Sequence, residues 1–240
     1  MTPQRAAAGA IVLWDIDNTL LYTGGAGTVA MTRAFRDLYG IDDAFGRVEF
    51  SGRTDTAIFR DAAREHGIAG DLVDEQARFM EAYLPHLRAA LHEITGGALM
   101  PGVLDVLSAL AAREDVVQGL GTGNFRPAGA MKLRHYGIDA YFEGVVGGFG
   151  EDSEHRHIVI GMGIERLRNG TADGARPIVI GDTPHDVTAA RANGAFALAV
   201  ATGRHSTAEL RAAGADAALD DLSDVERVVA LVTGTATRRA

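Results

Sequence analysis

The sequence predicts an α/β fold in which a three-layer α/β/α core, built on a parallel sheet, carries an inserted α-helical cap. Three observations predict this fold. Short continuous apolar runs alternate with helical patterns, polar clusters follow several of these runs directly, and one long segment after the first run shows only helical patterns. Strands that alternate with helices favour a parallel sheet with right-handed crossovers.

The apolar runs are expected to be strands buried on both faces, because such strands lack polar alternation. They cover residues 10–14, 116–120, 145–146, 178–180 and 197–200. Helical patterns lie between most of them. One predicted helix presents Val103, Leu104, Leu107 and Leu110 on a single face, and another contains Val187 and Ala190. Ligands of such sheets bind at the carboxyl ends of the strands, so the site is expected there.

The segment 23–97 is predicted to be a helical cap domain, and residues 1–22 with 98–240 are predicted to be the core. The apolar residues of the segment 23–97 repeat at helical spacing. Two such sets are Met31, Ala34, Phe35 and Leu38, and Phe79, Met80, Tyr83, Leu84 and Leu87. An insert directly after the first strand would lie over the carboxyl ends of the sheet. Glycine pairs at 24–25 and 96–97 flank it, and they indicate either two hinges of a mobile cap or plain turns.

Composition excludes several classes of function. The chain has 240 residues, enough for one or two domains, and its formal net charge of −9 argues against general binding to nucleic acid or anionic membranes. The absence of cysteine excludes disulfides, thiolate catalysis and Cys-ligated metal sites. No apolar run has the roughly 20 residues of a membrane span. Arg5 and the apolar run after it briefly resemble a signal peptide, but Asp15 and Asp17 interrupt the pattern, so we expect a cytoplasmic protein.

Three polar clusters follow predicted strands. Asp15 and Asp17 follow the first, and two carboxylates at this spacing repel unless a hard cation such as Mg²⁺ or a proton joins them. The alternative is a surface acidic turn. The second cluster is residues 121–124, Gly-Thr-Gly-Asn, whose glycines allow close approach to an anion, although a plain strand–helix turn explains it equally. It lacks the third glycine of a dinucleotide-binding fingerprint.

The third cluster contains Asp182 and Asp186, which lie four residues apart across a predicted helix start. Asp186 is also well placed to cap that helix, whereas Asp182 at the strand end is harder to explain structurally. Together, Asp15, Asp17, Asp182 and Asp186 would place four carboxylates on one rim. With Mg²⁺ and a cationic side chain, such a rim becomes a site for phosphoryl transfer.

With these three clusters the sequence resembles the haloacid dehalogenase superfamily, and within it the phosphoglycolate-phosphatase-like members with a helical cap. Asp15-x-Asp17-x-Thr19 matches the first motif of the superfamily, and Thr122 matches the second. Gly181-Asp182 with Asp186 matches the fourth, and residues 51–55, Ser-Gly-Arg-Thr-Asp, are similar to a cap segment. The resemblance spans about residues 11–222 and implies a Rossmann-like core.

Two departures from the superfamily pattern matter. Asn18 stands where the superfamily usually has glycine, and asparagine tolerates positive φ best among other residues, so the turn should survive. The third motif is normally a lysine, whereas this region reads Glu-His-Arg-His at 154–157. We assign the basic role to Arg156. The rival is Lys132, the only lysine of the chain, whose position inside a helix favours a solvated face. His155 and His157 are more typical of solvated side chains than of a metal pair.

The resemblance implies a Mg²⁺-dependent phosphatase that works through an aspartyl-phosphate. By resemblance, Asp15 is the nucleophile and Asp17 the general acid and base. Asp15, the Asp17 backbone carbonyl and Asp182 would hold Mg²⁺, and Asp186 would orient this shell.

The resemblance also implies contacts to the substrate. Thr122, Gly123, Asn124 and Arg156 would bind the phosphate. From the cap, Arg53 is expected to contact the substrate or to form an ordinary ion pair with Asp55 or another acid.

The sequence leaves some alternatives open. A sugar phosphomutase shares the nucleophile and acid, and a non-catalytic module that binds a phosphorylated metabolite is a weaker alternative. Asp17 argues against a dehalogenase, and a cap without lysine excludes Schiff-base phosphonate hydrolysis. The expected partner is a small phosphorylated metabolite, with phosphoglycolate, a sugar phosphate and a nucleotide monophosphate all open. The sequence does not indicate an oligomeric state.

Overall fold

The computed structural model describes residues 9–169 and 174–235. In chain order its elements are β1 Ala10–Trp14, β2 Leu21–Tyr22, α1 Ala26–Tyr39, α2 Asp55–Glu65, α3 Leu72–Glu93, β3 Ala98–Leu99, α4 Val103–Ala111, β4 Val116–Gly121, α5 Arg126–His135, β5 Gly147–Gly148, α6 Arg156–Arg168, β6 Arg176–Gly181, α7 Pro184–Ala192, β7 Phe196–Val200, α8 Thr207–Ala212, β8 Ala217–Leu219 and α9 Val225–Thr233. Two 3-10 turns, Asp139–Tyr141 and Glu143–Val145, precede β5.

A parallel sheet with the strand order β5-β4-β1-β6-β7-β8 forms the core. The strand β1 is central, and its side chains alternate between two apolar layers. Val12 and Trp14 pack with α4 and α9 on one face, whereas Ile11 and Leu13 pack with α6, α7 and α8 on the other. This arrangement confirms the predicted three-layer α/β/α fold with a parallel sheet.

Helices α1 to α3 form a helical insert between β2 and β3, with an apolar cluster of their own. Its centre is aromatic: the rings of Phe59 and Phe79 stack with centroids 4.9 Å apart, and Phe35 contacts both. Phe125 and Ala128, at the start of α5, are buried in the same cluster. The insert therefore packs directly on α5. This helix follows β4, the strand that lies next to the central strand β1.

The chain enters and leaves the insert through a two-stranded antiparallel ribbon. Leu21 of β2 pairs with Leu99 of β3, so the two crossings are joined by backbone hydrogen bonds. The flanking glycines 24, 25 and 96 have positive φ values of 67°, 90° and 98°. Glycine adopts this region without steric strain, which accounts for its presence here. The hinge motion inferred from these glycines stays a prediction.

Two sequence-based expectations about the core are wrong. Residues 145–146 do not form a strand: Val145 ends a 3-10 turn and the edge strand β5 is Gly147–Gly148. An added Cβ at Gly147 would lie 2.0 Å from the Leu120 carbonyl oxygen, so only glycine allows this approach. Leu104 is 48% exposed, because the buried face of α4 runs through Val106 instead.

Parts of the predicted core, residues 1–8 with Arg5, 170–173 and 236–240, lie outside the described residues. Among the helices that the structure describes, none is long and apolar enough to cross a membrane.

Candidate active site

Three neighbouring strands deliver the polar residues of the site to one edge of the sheet. Asp15 follows β1, Thr122 follows β4 and Asp182 follows β6, and β1 lies between the other two strands. All three side chains are buried. The carboxyl ends of parallel strands meet at one edge, which is why residues far apart in sequence are brought together here.

A buried ion cluster occupies the centre of this edge. The guanidinium of Arg156, at the first position of α6, donates from Nη2 to Asp15 Oδ1 at 2.7 Å and to Asp186 Oδ1 at 2.6 Å. Asp15, Asp182 and Asp186 offer oxygen atoms that all lie within 4.8 Å of one another. Three carboxylates therefore share one guanidinium, which leaves a deficit of positive charge.

Burial and this deficit together shift the pKa values of Asp15 and Asp182. Burial raises the pKa of Asp15 to about 6, opposed by the guanidinium of Arg156. Burial together with repulsion from Asp15 and Asp186 raises the pKa of Asp182 to about 9. Burial works against the charge of Arg156, but Asp186 and Asp15 outweigh it and hold its pKa above the usual range. Two of the three carboxyls therefore lack enough positive charge to ionise easily.

The donor set fits a hard divalent cation. The carboxylates of Asp15, Asp182 and Asp186 carry three negative charges against the one positive charge of Arg156, and they offer only oxygen atoms. Mg²⁺ prefers such ligands. Asp186 Oδ2 accepts hydrogen bonds from the backbone and side chain of Thr183 in a capping box at the start of α7. Hydrogen bonds from Thr183 thus fix the Asp186 carboxylate, which accepts a hydrogen bond from Arg156.

Lys132 does not lie on a solvated helix face, so that expectation is wrong. Its side chain is 4% exposed, and its ammonium donates to both carboxylate oxygens of Asp17, at 2.6 and 2.8 Å. It also donates to Asn124 Oδ1 at 2.6 Å. Asn124 Nδ2 in turn donates to Asp17 and to Thr122 Oγ1, both at 2.8 Å. Hydrogen bonds therefore connect Asp17 to Thr122 across the site.

Arg156 keeps free donors beside the backbone of Gly123. Its Nη1 and Nε make no hydrogen bond within the described part of the chain, and Nε is fully buried. An added Cβ at Gly123 would lie 3.0 Å from Nη1 and 2.1 Å from the carbonyl oxygen of Arg53. Only glycine fits between these groups, and the arrangement suits an anion that approaches the guanidinium. Asn18 has a φ of 58°, so the turn tolerates this residue as expected.

A cavity of about 280 Å³ joins the sheet edge to the insert. From the insert, Asp55 lines this cavity and is anchored to the core, since its carboxylate accepts from the Phe125 N–H at 2.8 Å and its own N–H donates to Gly123 at 2.7 Å. Burial raises the pKa of Asp55 to about 7, opposed by Lys132. Arg53 also lines the cavity and forms an ion pair with Asp61 at 2.6 Å.

Sequence reasoning did not assign Asp55 and Tyr83 to this site, and it missed the buried environment of Lys132. A signal for Lys132 was present. Phe125, Ala128 and Lys132 are spaced i, i+3 and i+7, so the lysine lies on the apolar face of α5. Tyr83 shares the apolar face of α3, but its contact with the cavity depends on how the insert packs.

Comparisons with known proteins agree with this geometry. The model of a family described as haloacid dehalogenase-like hydrolase matches residues 12–200. "Probable phosphatase IndB" of Dickeya dadantii (strain 3937) is 27% identical over 230 residues, covering 90% of this chain and 91% of that protein.

Solved structures show the same fold at lower identity. CbbY from Rhodobacter sphaeroides, solved in complex with phosphate, is 20% identical with a TM-score of 0.69, covering 90% of this chain and 96% of that chain. A "predicted phosphatase" from Clostridium acetobutylicum is 20% identical with a TM-score of 0.67, covering 93% of this chain and 99% of that chain.

Proposed function

Because the chain belongs to the family of haloacid dehalogenase-like hydrolases, we propose that it is a Mg²⁺-dependent phosphatase that hydrolyses a small phosphate monoester through an aspartyl-phosphate. One observation carries the proposal. Asp15, at the end of the central strand, is hydrogen-bonded to a buried guanidinium that keeps donors free beside Gly123. A carboxylate beside unpartnered donors for phosphate oxygens is what an in-line attack on phosphorus requires.

The reaction proceeds in two displacements. An oxygen of Asp15 forms a bond to phosphorus while the ester bond between phosphorus and the alcohol oxygen breaks, and Asp17 gives a proton to that oxygen. Water then attacks phosphorus, Asp17 takes a proton from the water, and the bond between Asp15 and phosphorus breaks to release inorganic phosphate. Together the two displacements replace one difficult hydrolysis with two easier steps.

The phosphate oxygens are held by donors from two elements. Arg156 contributes its free Nη1, and the loop after β4 contributes Thr122 and the backbone of Gly123, which lies beside that guanidinium. Asn124 belongs to the same loop, but its side chain is occupied by Thr122, Asp17 and Lys132. Its part is therefore to align the loop with Asp17. Preorganised donors of this kind stabilise the charge that spreads over the transferring phosphoryl group.

Asp15, Asp182 and the backbone carbonyl of Asp17 would hold Mg²⁺. When bound, the ion neutralises the carboxylates and the phosphate so that two anions can meet. Asp186 fixes Arg156 in place through the contact of 2.6 Å. This division of labour accounts for why the cluster contains one more carboxylate than the ion is proposed to take.

The helical insert would act as a cap that excludes bulk water from the phosphoryl group. Thr54, Asp55 and Thr56 of the insert form hydrogen bonds to backbone groups of the core. Arg53 would contact the rest of the substrate from the cavity wall, although its pairing with Asp61 limits its freedom. The partner we propose is a small phosphorylated metabolite of the cytoplasm.

The test is release of inorganic phosphate from a panel that includes phosphoglycolate, a sugar phosphate and a nucleotide monophosphate. We expect release with Mg²⁺, none with excess chelator, and a loss of at least 10⁴-fold in Asp15→Asn, since the nucleophile is removed. Asp105→Asn, an exposed position on α4, is the matched control and should retain activity. Activity that survives in Asp15→Asn or in chelator contradicts the mechanism.

The same assay separates the alternatives. A sugar phosphomutase would interconvert isomers and release little phosphate, whereas a phosphatase releases phosphate in proportion to the ester consumed. A non-catalytic binding protein would bind one member of the panel tightly and turn none over.

A further inference from the structure

Lys132 uses its whole hydrogen-bonding capacity on two neighbours. An ammonium group has three N–H donors. Those of Lys132 are directed at Asp17 Oδ1, Asp17 Oδ2 and Asn124 Oδ1, at 2.8, 2.6 and 2.6 Å. No donor remains for a phosphate oxygen, in contrast to Arg156, which keeps Nη1 and Nε free within the described residues. The two cations of the site therefore have different tasks.

The burial of Lys132 comes from the insert as well as from its own helix. An added Cβ at Gly27 of α1 would lie 3.7 Å from Lys132 Nζ and 3.7 Å from the hydroxyl of Tyr83 in α3. Asp55 of α2 is close enough for Lys132 to lower its pKa. Helices α1 and α2 of the insert thus approach the ammonium, and Lys132 as a whole residue is only 3% exposed.

A buried ammonium strongly resists separation from its counter-ion, because an unpaired charge that has been removed from water is unfavourable. Asp17 is the only carboxylate bonded to Lys132 among the described residues, and its own side chain is 39% exposed toward the cavity. The Asp17 carboxylate is therefore bonded to Lys132 on its buried side, and its other side is open to the cavity.

We propose that Lys132 is a positioning residue that orients the Asp17 carboxylate for proton transfer while the insert is packed on α5. This inference rests on the proposed function, because it assigns Lys132 a task in that reaction. Lys132 acts through Asp17 and does not bind phosphate. Removing it should lower turnover and leave the affinity for phosphate unchanged.

The experiment compares wild-type protein with Lys132→Met, Asp17→Asn and the double variant, using p-nitrophenyl phosphate as the substrate. Nitrophenolate leaves without a proton, so the first displacement does not need Asp17 as an acid, and a fall in kcat reports the second displacement, in which Asp17 takes a proton from water. Met131→Leu is the matched control, since it alters the neighbouring position of α5 with little change of volume. Each variant is assayed for kcat, for KM, for inhibition by inorganic phosphate and for thermal unfolding.

We expect Lys132→Met to lower kcat by about 10²-fold, within the range for a misplaced acid–base group, and to change the inhibition constant of phosphate by less than about 2-fold. In the Asp17→Asn background the same substitution should have almost no further effect, because a residue that acts through another is not additive with it. Lys132→Arg, which keeps the charge, should recover part of the lost kcat.

Three results overturn the proposal. Phosphate inhibition that weakens as much as kcat falls would make Lys132 a phosphate ligand. An equal loss in the Asp17→Asn background, or a folded Lys132→Arg no better than Lys132→Met, would make its role merely structural. If the wild-type protein releases no phosphate from any ester, the proposed function itself fails, which is a separate outcome seen before any variant is made.

Discussion

Mg²⁺ should stabilise the folded protein, and the shift should grow with pH. Asp15, Asp182 and Asp186 share one guanidinium, so the cluster carries an excess of two negative charges when fully ionised. The pKa values of Asp15 and Asp182 lie at about 6 and about 9, above the ordinary 3.8. The folded state therefore holds protons that the unfolded chain has lost, and without metal its stability falls as pH rises from about 4 through these values.

The size of the effect follows from linkage. A ligand at 100 times its dissociation constant adds about 2.7 kcal/mol to the free energy of unfolding. For a chain of this length, each kcal/mol raises the melting temperature by about 2–4 °C, so saturating Mg²⁺ should raise it by about 5–10 °C. Protons compete with the ion at low pH, because they occupy the same carboxyls.

The assay is thermal unfolding of metal-free protein at pH 5.5 and pH 8, with and without Mg²⁺. We expect a larger shift at pH 8. Asp182→Asn is the control: it removes a ligand while replacing a carboxyl that burial already keeps protonated, so the shift should vanish while the metal-free protein unfolds within a few degrees of wild type. A shift that is absent at pH 8, larger at pH 5.5 or retained in Asp182→Asn would refute the reasoning.

Three further substitutions test how the insert packs on the core. Thr56→Val removes the buried hydrogen bond of 2.6 Å to the Gly150 carbonyl, and urea unfolding should show a loss of about 1–3 kcal/mol; no change would mean that water replaces the hydroxyl. Gly123→Ala would bring a methyl group to 2.1 Å from the Arg53 carbonyl oxygen, so phosphatase activity should fall more than about 10-fold with unchanged circular dichroism; full activity would contradict this close approach. Gly27→Ala meets only ordinary contacts at 3.7 Å, so activity and melting temperature should stay near wild type, and a large loss would show that the space is smaller than described.

Local sequence patterns were sufficient for the sheet edge. Asp15 comes directly after an apolar run, Thr122 and Asp182 each follow a run and one glycine, and the structure places each of them just beyond β1, β4 or β6. A strand buried on both faces leaves this signal along a few consecutive residues, and parallel topology then brings the strand ends together without further information. The prediction of a strand at 145–146 was wrong because the edge strand β5 consists of two glycines, which carry no apolar signal.

The sequence by itself determined the fold class, the strand ends and the identity of the acidic residues, because these depend on neighbours within a few positions. Only the tertiary structure decided what surrounds Lys132 and Asp55 and which acid pairs with Arg53. Lys132 of α5 meets Asp17, which follows β1 and lies 115 positions away, and Asp55 of the insert meets the N–H of Phe125, 70 positions away. The physical reason is that a buried charge takes its partner from whichever element packs over it, and packing is set by the whole apolar interface.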